Sequence, residues 1–465
     1  MVNWLFARHL GGEFVIRIED TDEERNDRRF EVAHLEALRW LGLDWDEGPD
    51  RGGAFGPYRQ SERDAHYQAA LSTLLHLGKA YYCFCTEREL HAERRRANSH
   101  GVPYVYSRKC RNLDPAARDA RLANGELAAI RFDIHGHDLT VHDLIKGEIR
   151  FSGELLGDFI IVRADGKPTY NFVAAVDDIG MGITHVLRGE DHLTNTPRQM
   201  AIQQDLGHQP PAFGHLPLLL GESGAKMSKR EGAFSIAKFR REGILPAAVF
   251  NYLALLGWSP PDVAMGEVLS KEALVNAYDL SRISHSAAHY ESAKLTWFNA
   301  HHLREQSPEE LLLAFREFWR HRHPGWEMPP SIADPRPGSD RILNALKPSF
   351  STMPEAIRDY RAVARRPTRK QLERVLGLPC PAETVLVCTR ALESLPELGG
   401  LPEETVAAGL KQFQKAIQQS DELRAPTVYH ALRAVLTGYD QGPELKKVVH
   451  LLDPIELRAR LQMVG

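Results

Sequence analysis

Residues 185–192 read His-Val-Leu-Arg-Gly-Glu-Asp-His, a short apolar strand that ends in a cluster of polar side chains. Three more apolar runs along the chain also end in charged or polar clusters. Ligands of open parallel sheets bind beyond the carboxyl ends of the strands, so these clusters predict one shared cleft in an α/β domain. The runs that we interpret as strands are residues 13–18, 170–176, 185–188 and 213–220.

The chain opens with a predicted helix rather than with a strand. Residues 4–10 carry apolar side chains at helical spacing, and Gly11 and Gly12 form a stop signal. A doubly wound sheet begins with strand, loop and helix. We therefore expect a first strand and its phosphate-binding loop to be missing from these residues.

Two further elements continue the alternation of strand and helix. Residues 158–163 predict another buried strand. Thr196 predicts the cap of a helix, because Pro197 suits the first helical position and Gln199 is spaced to complete a capping box.

Beyond residue 235 the pattern becomes helical. Residues 245–256 and 292–303 predict helices, and helical periodicity continues from residue 309 almost to the end. This tail of ~150 residues is long enough for a domain of its own.

Composition is that of an ordinary globular protein. The 465 residues carry a formal net charge of −4, so nucleic-acid binding would have to come from local basic patches. The sequence has no apolar run of membrane-spanning length and no signal-peptide layout at its start. Five cysteines in so long a chain do not form a disulfide framework. We expect a cytoplasmic protein without a membrane partner.

A basic loop follows the last of the four predicted strands. Residues 226–230 read Lys-Met-Ser-Lys-Arg, with Gly221, Gly224 and Gly232 around them. Glycines let backbone N–H groups approach a ligand, and lysine and arginine suit phosphate. The loop therefore suits a polyphosphate whose charge grows in a transition state. A solvated basic loop is the alternative interpretation.

Three cysteines form a second constellation. Cys83, Cys85 and Cys110 lie within 28 residues of sequence, a spacing that suits tetrahedral zinc. The alternative is three ordinary buried or free cysteines. Cys380 and Cys388 lie far from this group in sequence, and we interpret them as core or incidental residues.

Nine motifs in order resemble those of bacterial glutamyl-tRNA synthetases. Among them are Asn-Trp-Leu-Phe-Ala-Arg, Arg-Ile-Glu-Asp-Thr-Asp and Pro-Tyr-Arg-Gln-Ser, at residues 3–8, 17–22 and 57–61. Weaker matches continue at residues 431–433 and 436–438. The remaining motifs are residues 45–49, 168–172, 188–192, 226–230, 251–253 and 256–259.

The resemblance implies a class I aminoacyl-tRNA synthetase of the α/β class. Its parts would be a Rossmann-type parallel-sheet catalytic domain in two halves, an acceptor-binding α+β insert with the zinc site, a helical stem-contact domain and an all-α anticodon-binding domain. We predict the truncated first catalytic half at residues 1–75, the insert at residues 76–155 and the second catalytic half at residues 156–234. The stem-contact domain would follow at residues 235–305 and the anticodon domain at residues 306–465.

The same resemblance implies substrates and the residues that bind them. L-Glutamate, ATP with Mg²⁺ and tRNA(Glu) would be the partners of a monomeric enzyme. Glu19 would bind the α-amino group of glutamate, and Tyr170 and Arg188 would contact the amino acid, with Arg188 on its side-chain carboxylate. From the residues alone, Glu19 could equally be a surface acid, and Arg188 could form a salt bridge to Glu190 or Asp191.

Four residues are implied to handle ATP. Lys229 resembles the catalytic lysine that neutralises the α-phosphate and the leaving pyrophosphate, with Lys226 as its auxiliary. Asp191 and His192 lie where the family handles the adenosine ribose and the tRNA end. The amino-acid carboxylate attacks ATP, and a tRNA ribose hydroxyl then attacks the adenylate.

The fourth zinc ligand is open from spacing alone. Some relatives have a tyrosine four residues before the third cysteine, which matches Tyr106 ahead of Cys110. Others have histidine or cysteine two residues after it, where this chain has Asn112. We predict Zn²⁺ on Cys83, Cys85, Tyr106 and Cys110.

The family's HIGH motif, which binds ATP phosphates at a helix N-terminus, does not occur in this sequence. We expect either that Met1 is an internal initiator or that the chain is a HIGH-less, catalytically impaired tRNA-binding paralogue. Either way, residues 1–465 should be much less active than a chain with the motif. A shortened glutamyl-Q tRNA(Asp) synthetase-like enzyme is disfavoured by the helical last third, as is a glutaminyl enzyme with a β-barrel tail.

Overall fold

The computed structural model describes residues 1–21, 27–225, 235–324, 327–335, 338–377, 380–421 and 423–464. The chain forms two compact units, each described separately below. The first comprises Met1–Ser228 and Leu253–Tyr290, and the second comprises Lys229–Tyr252 and Glu291–Gly465. This division is coarser than the five predicted segments, whose boundaries remain predictions.

Helices and strands alternate through the first 220 residues. The helices are α1 Val2–His9, α2 Arg28–Trp40, α3 Asp64–His76, α4 Glu87–Ser99, α5 Pro115–Ala123, α6 Gly153–Leu156, α7 Tyr170–Gly180 and α8 Thr196–Asp205. The strands are β1 Ala80–Cys83, β2 Ala129–Phe132, β3 Asp138–Asp143, β4 Gly147–Ser152, β5 Phe159–Val162, β6 His185–Gly189, β7 Ala212–Leu216 and β8 Leu219–Leu220.

Helices dominate the rest of the chain. They are α9 Ile236–Glu242, α10 Pro246–Leu255, α11 Lys271–Ala277, α12 Ser292–Glu305, α13 Pro308–Arg322, α14 Pro330–Ala333, α15 Ser339–Leu346, α16 Met353–Ala364, α17 Arg369–Leu376, α18 Ala382–Ser394, α19 Glu403–Asp421, α20 Ala425–Thr437, α21 Leu445–Leu451 and α22 Pro454–Leu461. Strand β9, Ala288–His289, belongs to the first unit.

The strands of the first unit form four small sheets. β1, β2 and β5 form an antiparallel sheet in that order, and β3 and β4 form an antiparallel pair. β6 pairs in parallel with β7, and β8 pairs in parallel with β9. The β6–β7 register sets Arg188 opposite His215, which places these two residues at the carboxyl ends of parallel strands.

Local signals account for the start of the chain. Helix α1 buries Trp4 and Leu5 and is followed by Gly11 in a left-handed conformation (φ 68°), which a glycine adopts without steric cost. The predicted strand at residues 13–18 is reduced to two parallel bridges, Val15 with Glu47 and Ile18 with Arg59.

The apolar run at residues 170–176 is a helix, not a strand. It begins α7, and the buried side chains of Phe172, Val173 and Val176 pack in one core with Tyr67 of α3 and Ile161 of β5. A short, continuously apolar run has no periodicity that separates a buried strand from a buried helix, which explains the wrong prediction.

The predicted strand at residues 213–220 is two strands. Pro217 separates β7 from β8, because a proline has no N–H group to donate to a sheet ladder. The predicted strands at residues 158–163 and 185–188 are confirmed as β5 and β6.

Helix α8 forms where expected, but the predicted capping box is wrong. Asn195 occupies the cap position and Thr196 is the first helical residue. The Thr196 hydroxyl accepts a hydrogen bond from Arg188 instead, and Gln199 also binds Arg188. The tertiary contact with Arg188 therefore uses the two side chains that the local pattern assigned to helix capping.

Helices joined by loops make up the second unit, and no strand occurs among its described residues, as predicted. The predicted helices at residues 245–256 and 292–303 are α10 and α12. The buried Arg460 of α22 joins three helices, because its guanidinium donates to the backbone carbonyls of Ala362, Val363 and Leu436 at 2.5–2.8 Å. Within the described ranges, no helix combines the length and apolar character needed to cross a membrane.

Candidate active site

A cleft of about 320 Å³ opens in the first unit between residues 15–19, helix α7 and strand β6. Glu19, Tyr170 and Arg188 all line it. The structure therefore brings together the three residues predicted to bind glutamate, although they are up to 169 positions apart in sequence (188 − 19).

Neutral groups hold the Arg188 guanidinium. Nη2 donates to Thr196 Oγ1 at 2.8 Å, and Nη1 donates to Gln199 Oε1 at 2.9 Å and to the Tyr170 hydroxyl at 3.4 Å. Nε lies 3.3 Å from His215 Nε2. The acceptors are hydroxyl, amide and imidazole groups, so none of the direct hydrogen-bond partners of the guanidinium is a carboxylate.

The alternative salt bridge from Arg188 to Glu190 or Asp191 does not form. The Glu190 carboxylate instead pairs with Lys146 Nζ at 2.5 Å. Within the described part of the chain, no carboxylate oxygen lies within 4.0 Å of the Arg188 guanidinium. A cation in a cleft without an ionic partner is suited to an anionic ligand.

Two buried residues behind Arg188 escaped sequence analysis. His215 Nδ1 lies 2.5 Å from Asp143 Oδ2, and both side chains are fully buried. The other oxygen of Asp143 accepts backbone N–H groups of Ile145, Lys146 and His215 at 2.8–3.2 Å. Burial raises the pKa of Asp143, but the hydrogen bonds from His215 and the backbone lower it to about 2.

Glu19 lies on the other side of the cleft beside Arg17. The Glu19 side chain is 46% exposed and lies 3.4 Å from Arg17 Nη2, while Arg17 Nη1 also binds Asp178 at 2.9 Å. Burial raises the pKa of Asp178, and Arg17 opposes that shift. The Glu19 carboxylate therefore remains accessible to the ammonium group of a ligand.

Asp191 and His192 follow β6 in the 3-10 helix Glu190–Asn195. The His192 ring lies 5.7 Å from the Tyr170 ring, centroid to centroid, at an interplanar angle of 53°. A Cβ atom on Gly189 would lie 2.5 Å from Asp191 Oδ1, so the glycine makes room for that carboxylate. Neither residue lines the cleft, but His192 contacts Tyr170, which does.

The basic loop cannot be placed in the same way. Lys226 and Lys229 lie outside the described residues. The chain is described up to a turn in which Gly221 N–H donates to the Ala225 carbonyl at 2.9 Å.

The three cysteines of the insert converge. The Sγ atoms of Cys83, Cys85 and Cys110 all lie within 4.8 Å of one another, and Cys85 and Cys110 are 3.6 Å apart. The Tyr106 hydroxyl lies 3.2 Å from Cys85 Sγ and 3.4 Å from Cys83 Sγ. Arg131, which sequence analysis missed, donates from Nε to Cys83 Sγ at 3.2 Å.

The environment of Cys83 favours its thiolate. A hydrogen bond from the Cys110 thiol is the largest cause, burial opposes it, and Tyr106 and Arg131 add to it, so that the pKa of Cys83 falls to about 4. The pKa of Cys110 is raised in turn, first because its proton is held against Cys83 and then by burial.

Two family models account for most of the chain. The model for class I tRNA synthetases (E and Q), catalytic domain, matches residues 1–297. This chain belongs to the class I tRNA synthetase family. A model of an anticodon binding domain matches residues 336–464 of this class I synthetase, which is the helical tail.

Individual relatives agree with the family match. The synthetase is 38% identical to a glutamate–tRNA ligase of Carboxydothermus hydrogenoformans, over 99% of this chain and 94% of the relative. It is 40% identical to a glutamate–tRNA ligase of Aquifex aeolicus, over 99% and 93%. A crystal structure of a glutamate tRNA ligase from Elizabethkingia meningosepticum in complex with its amino acid aligns with a TM-score of 0.76 and 27% identity, over 99% and 94%.

Membership in this family confirms the predicted fold class. A class I synthetase has a Rossmann-like catalytic domain and uses ATP with Mg²⁺ as a substrate complex. The helical tail with its anticodon-binding match confirms the predicted all-α end. The roles of single residues remain predictions.

Proposed function

We propose that this chain is a glutamate–tRNA ligase, which activates L-glutamate with ATP and transfers it to the 3′ end of tRNA(Glu). The observation that carries the proposal is the Arg188 guanidinium, which lines the cleft and has only neutral partners among the described residues. Its charge suits the side-chain carboxylate of glutamate. The amide of glutamine would turn N–H groups toward N–H donors, so it would be rejected.

The amino acid would be held at both ends. Arg188 binds the side-chain carboxylate, and Glu19 binds the α-ammonium group through a charge-assisted hydrogen bond. Tyr170 lies between them on the cleft wall. This leaves the α-carboxylate free to attack the α-phosphate of ATP, with pyrophosphate as the leaving group.

The phosphate chemistry is assigned to the basic loop. Lys229, with Lys226 as its auxiliary, would stabilise the charge that develops on the α-phosphate and on pyrophosphate. Asp191 and His192 would contact the adenosine ribose and the tRNA end. A ribose hydroxyl at the tRNA 3′ end then attacks the adenylate carbonyl, and AMP leaves.

The cysteine cluster fits a structural zinc ion. A Zn–S distance of 2.3 Å gives a tetrahedral edge of about 3.8 Å, and Cys85 and Cys110 are already 3.6 Å apart. Cys83, Cys85 and Cys110 would hold the ion with Tyr106 as the oxygen ligand, and Arg131 would support Cys83 as an outer hydrogen-bond donor. The ion would tie the end of β1 to residues 106–110.

The remaining partner assignments follow from the activity. A tRNA-charging enzyme works where translation takes place, so we place the protein in the cytoplasm, as a monomer. Residues 336–464 would bind the anticodon arm. A shortened glutamyl-Q tRNA(Asp) synthetase-like enzyme is disfavoured, because such an enzyme lacks an anticodon domain.

Charging of tRNA tests the proposal. Radiolabelled glutamate, ATP, Mg²⁺ and tRNA(Glu) are incubated with the protein, and acid-precipitable label is counted. We expect glutamyl-tRNA to form. Label from glutamine or aspartate, or no glutamyl-tRNA at all, would contradict the proposal.

A further inference from the structure

We infer that Asp143 and His215 are positioning residues, which set the orientation of the Arg188 guanidinium through the tautomer of the His215 ring. The inference rests on the proposed function, since it concerns how Arg188 meets the side-chain carboxylate of glutamate. Neither residue lines the cleft, so both act through Arg188 rather than on substrate.

Three strands bring the side chains of Arg188, His215 and Asp143 together. The parallel register of β6 and β7 sets Arg188 beside His215. Asp143 ends β3, and the next residue, Leu144, donates its backbone N–H to the Phe213 carbonyl of β7 at 2.8 Å. The end of β3 is therefore hydrogen-bonded to β7 next to the contact between Asp143 and His215.

The carboxylate determines which ring nitrogen carries hydrogen. An ionised carboxylate can only accept, so the short contact to Asp143 requires a hydrogen on His215 Nδ1. The Arg188 Nε–H group points at Nε2, so Nε2 is an acceptor. It lies 3.3 Å from Arg188 Nε and 3.0 Å from Thr196 Oγ1.

The hydrogen bonds consequently run in one direction, from Arg188 toward Asp143. The guanidinium donates to Thr196, the Thr196 hydroxyl and the Arg188 Nε–H group share the one lone pair of His215 Nε2, and the ring donates to Asp143. This order exists only with the Nδ1–H tautomer. With the other tautomer, the ring N–H would point at the N–H of Arg188 and turn the guanidinium away.

Asp143→Asn reverses the tautomer without removing a side chain. The Asn oxygen can still accept the three backbone N–H groups, while its amide presents a donor to Nδ1 and so moves the ring hydrogen to Nε2. We expect the ¹⁵N signals of the His215 ring nitrogens to exchange their protonated and unprotonated positions. We also expect glutamate affinity, measured by calorimetry on the 465-residue chain, to fall by about tenfold or more.

Electrostatics alone predicts the opposite sign. Loss of a negative charge behind Arg188 would strengthen its attraction for a carboxylate, so a simple charge effect of Asp143→Asn would tighten glutamate binding. The direction of the change in affinity therefore separates positioning through the tautomer from a general effect of charge.

A second pair of variants tests the same hydrogen-bond chain. Thr196→Val removes the hydroxyl between Arg188 and His215, whereas Thr196→Ser keeps it, so only the valine variant should weaken glutamate binding. Asp205→Asn is the matched control, because His137 Nε2 contacts Asp205 at 3.2 Å in an Asp–His pair that does not contact Arg188. Its glutamate affinity should stay within about twofold of the unchanged protein.

The outcomes separate the inference from the proposed function. If the unchanged chain binds no glutamate, the proposed function is wrong. If it binds glutamate, the inference is overturned by an unchanged His215 tautomer in Asp143→Asn, by tighter or equal glutamate binding of that variant, or by equal binding of Thr196→Val and Thr196→Ser. Should Asp143→Asn fail to fold, the two Thr196 variants decide.

Discussion

Arg63, the residue directly before helix α3, forms a buried ion pair with Asp177 of helix α7. Arg63 Nε lies 2.6 Å from Asp177 Oδ1, and both side chains are at most 1% exposed. Asp177 also accepts hydrogen bonds from Gln60 and Tyr67 at 2.8–3.1 Å. Burial, and then Asp177, raise the pKa of Tyr67 well above its usual range. This network fixes α7, whose first residue is Tyr170, against the floor of the cleft.

Arg63→Met should therefore destabilise the protein strongly. Removing one partner of a buried ion pair typically costs about 3–5 kcal/mol, and the cation that stays near Asp177, Arg17, is more distant at 3.8 Å. Urea unfolding followed by circular dichroism measures the loss. Arg118→Met is the control, since Arg118 pairs with Asp119 at an exposed site and its removal should leave stability nearly unchanged. Equal stability of the two variants would mean that the buried pair does not hold α7.

Lys229→Ala and Arg188→Ala should affect different kinetic constants. Loss of a lysine that acts on developing charge lowers kcat by about 10²–10³ and leaves the KM for ATP little changed. Arg188→Ala should mainly raise the KM for glutamate, because Arg188 binds the side-chain carboxylate of glutamate equally in the ground state and in the transition state.

Pyrophosphate exchange in the presence of tRNA measures both effects. A Lys229→Ala enzyme with a raised KM for ATP and an unchanged kcat would make the basic loop a ground-state binder, contrary to its proposed catalytic role. Arg188→Lys is a useful companion variant, because it keeps the charge but loses the fork that donates to Thr196 and Gln199.

The purified protein should contain about one zinc ion per chain. Cys110→Ala should lose the metal, because it removes one of the three convergent thiols. Cys380→Ala should keep it, since Cys380 lies in the second unit. Elemental analysis under conditions that protect thiols gives the answer. A metal content near zero in the unchanged protein would favour free cysteines.

Because of Asp143, the free energy of unfolding should depend on pH in the acid range. Its pKa in the folded protein is lowered to about 2, below the value of an unfolded chain. The carboxylate therefore contributes stability above pH ~4, and this contribution is lost as the pH falls toward 2. Its size is about 2 kcal/mol.

The difference in unfolding free energy between the unchanged protein and Asp143→Asn measures that contribution. It should shrink by about 2 kcal/mol between pH 5 and pH 2. A constant difference over this range would show that Asp143 titrates alike in the folded and unfolded chains.

Motif order was enough to identify the family and the fold class, because each motif combines a backbone requirement with a chemical one. The N-terminal helix, strand β6, helix α12 and the helical tail follow from local periodicity and stop signals. The short spacing between Cys83 and Cys85 likewise made a cluster with Cys110 predictable, and the three thiols do converge.

Other features follow no local pattern. The run at residues 170–176 is as apolar as a buried strand, and only its packing against α3 and β5 makes it a helix. Thr196 and Gln199 carry a capping pattern, yet Arg188 engages both side chains.

The surroundings of Arg188 show what local sequence patterns can predict and what only the tertiary structure decides. Sequence patterns report how a segment buries its own side chains and ends its own helices, so they identify Arg188 as a strand-end cation. Asp143 and His215 are 72 positions apart, and nothing in either neighbourhood connects them. Only the alignment of β3, β6 and β7 makes them partners, because a buried polar group bonds with whichever donor or acceptor the packed strands bring within reach.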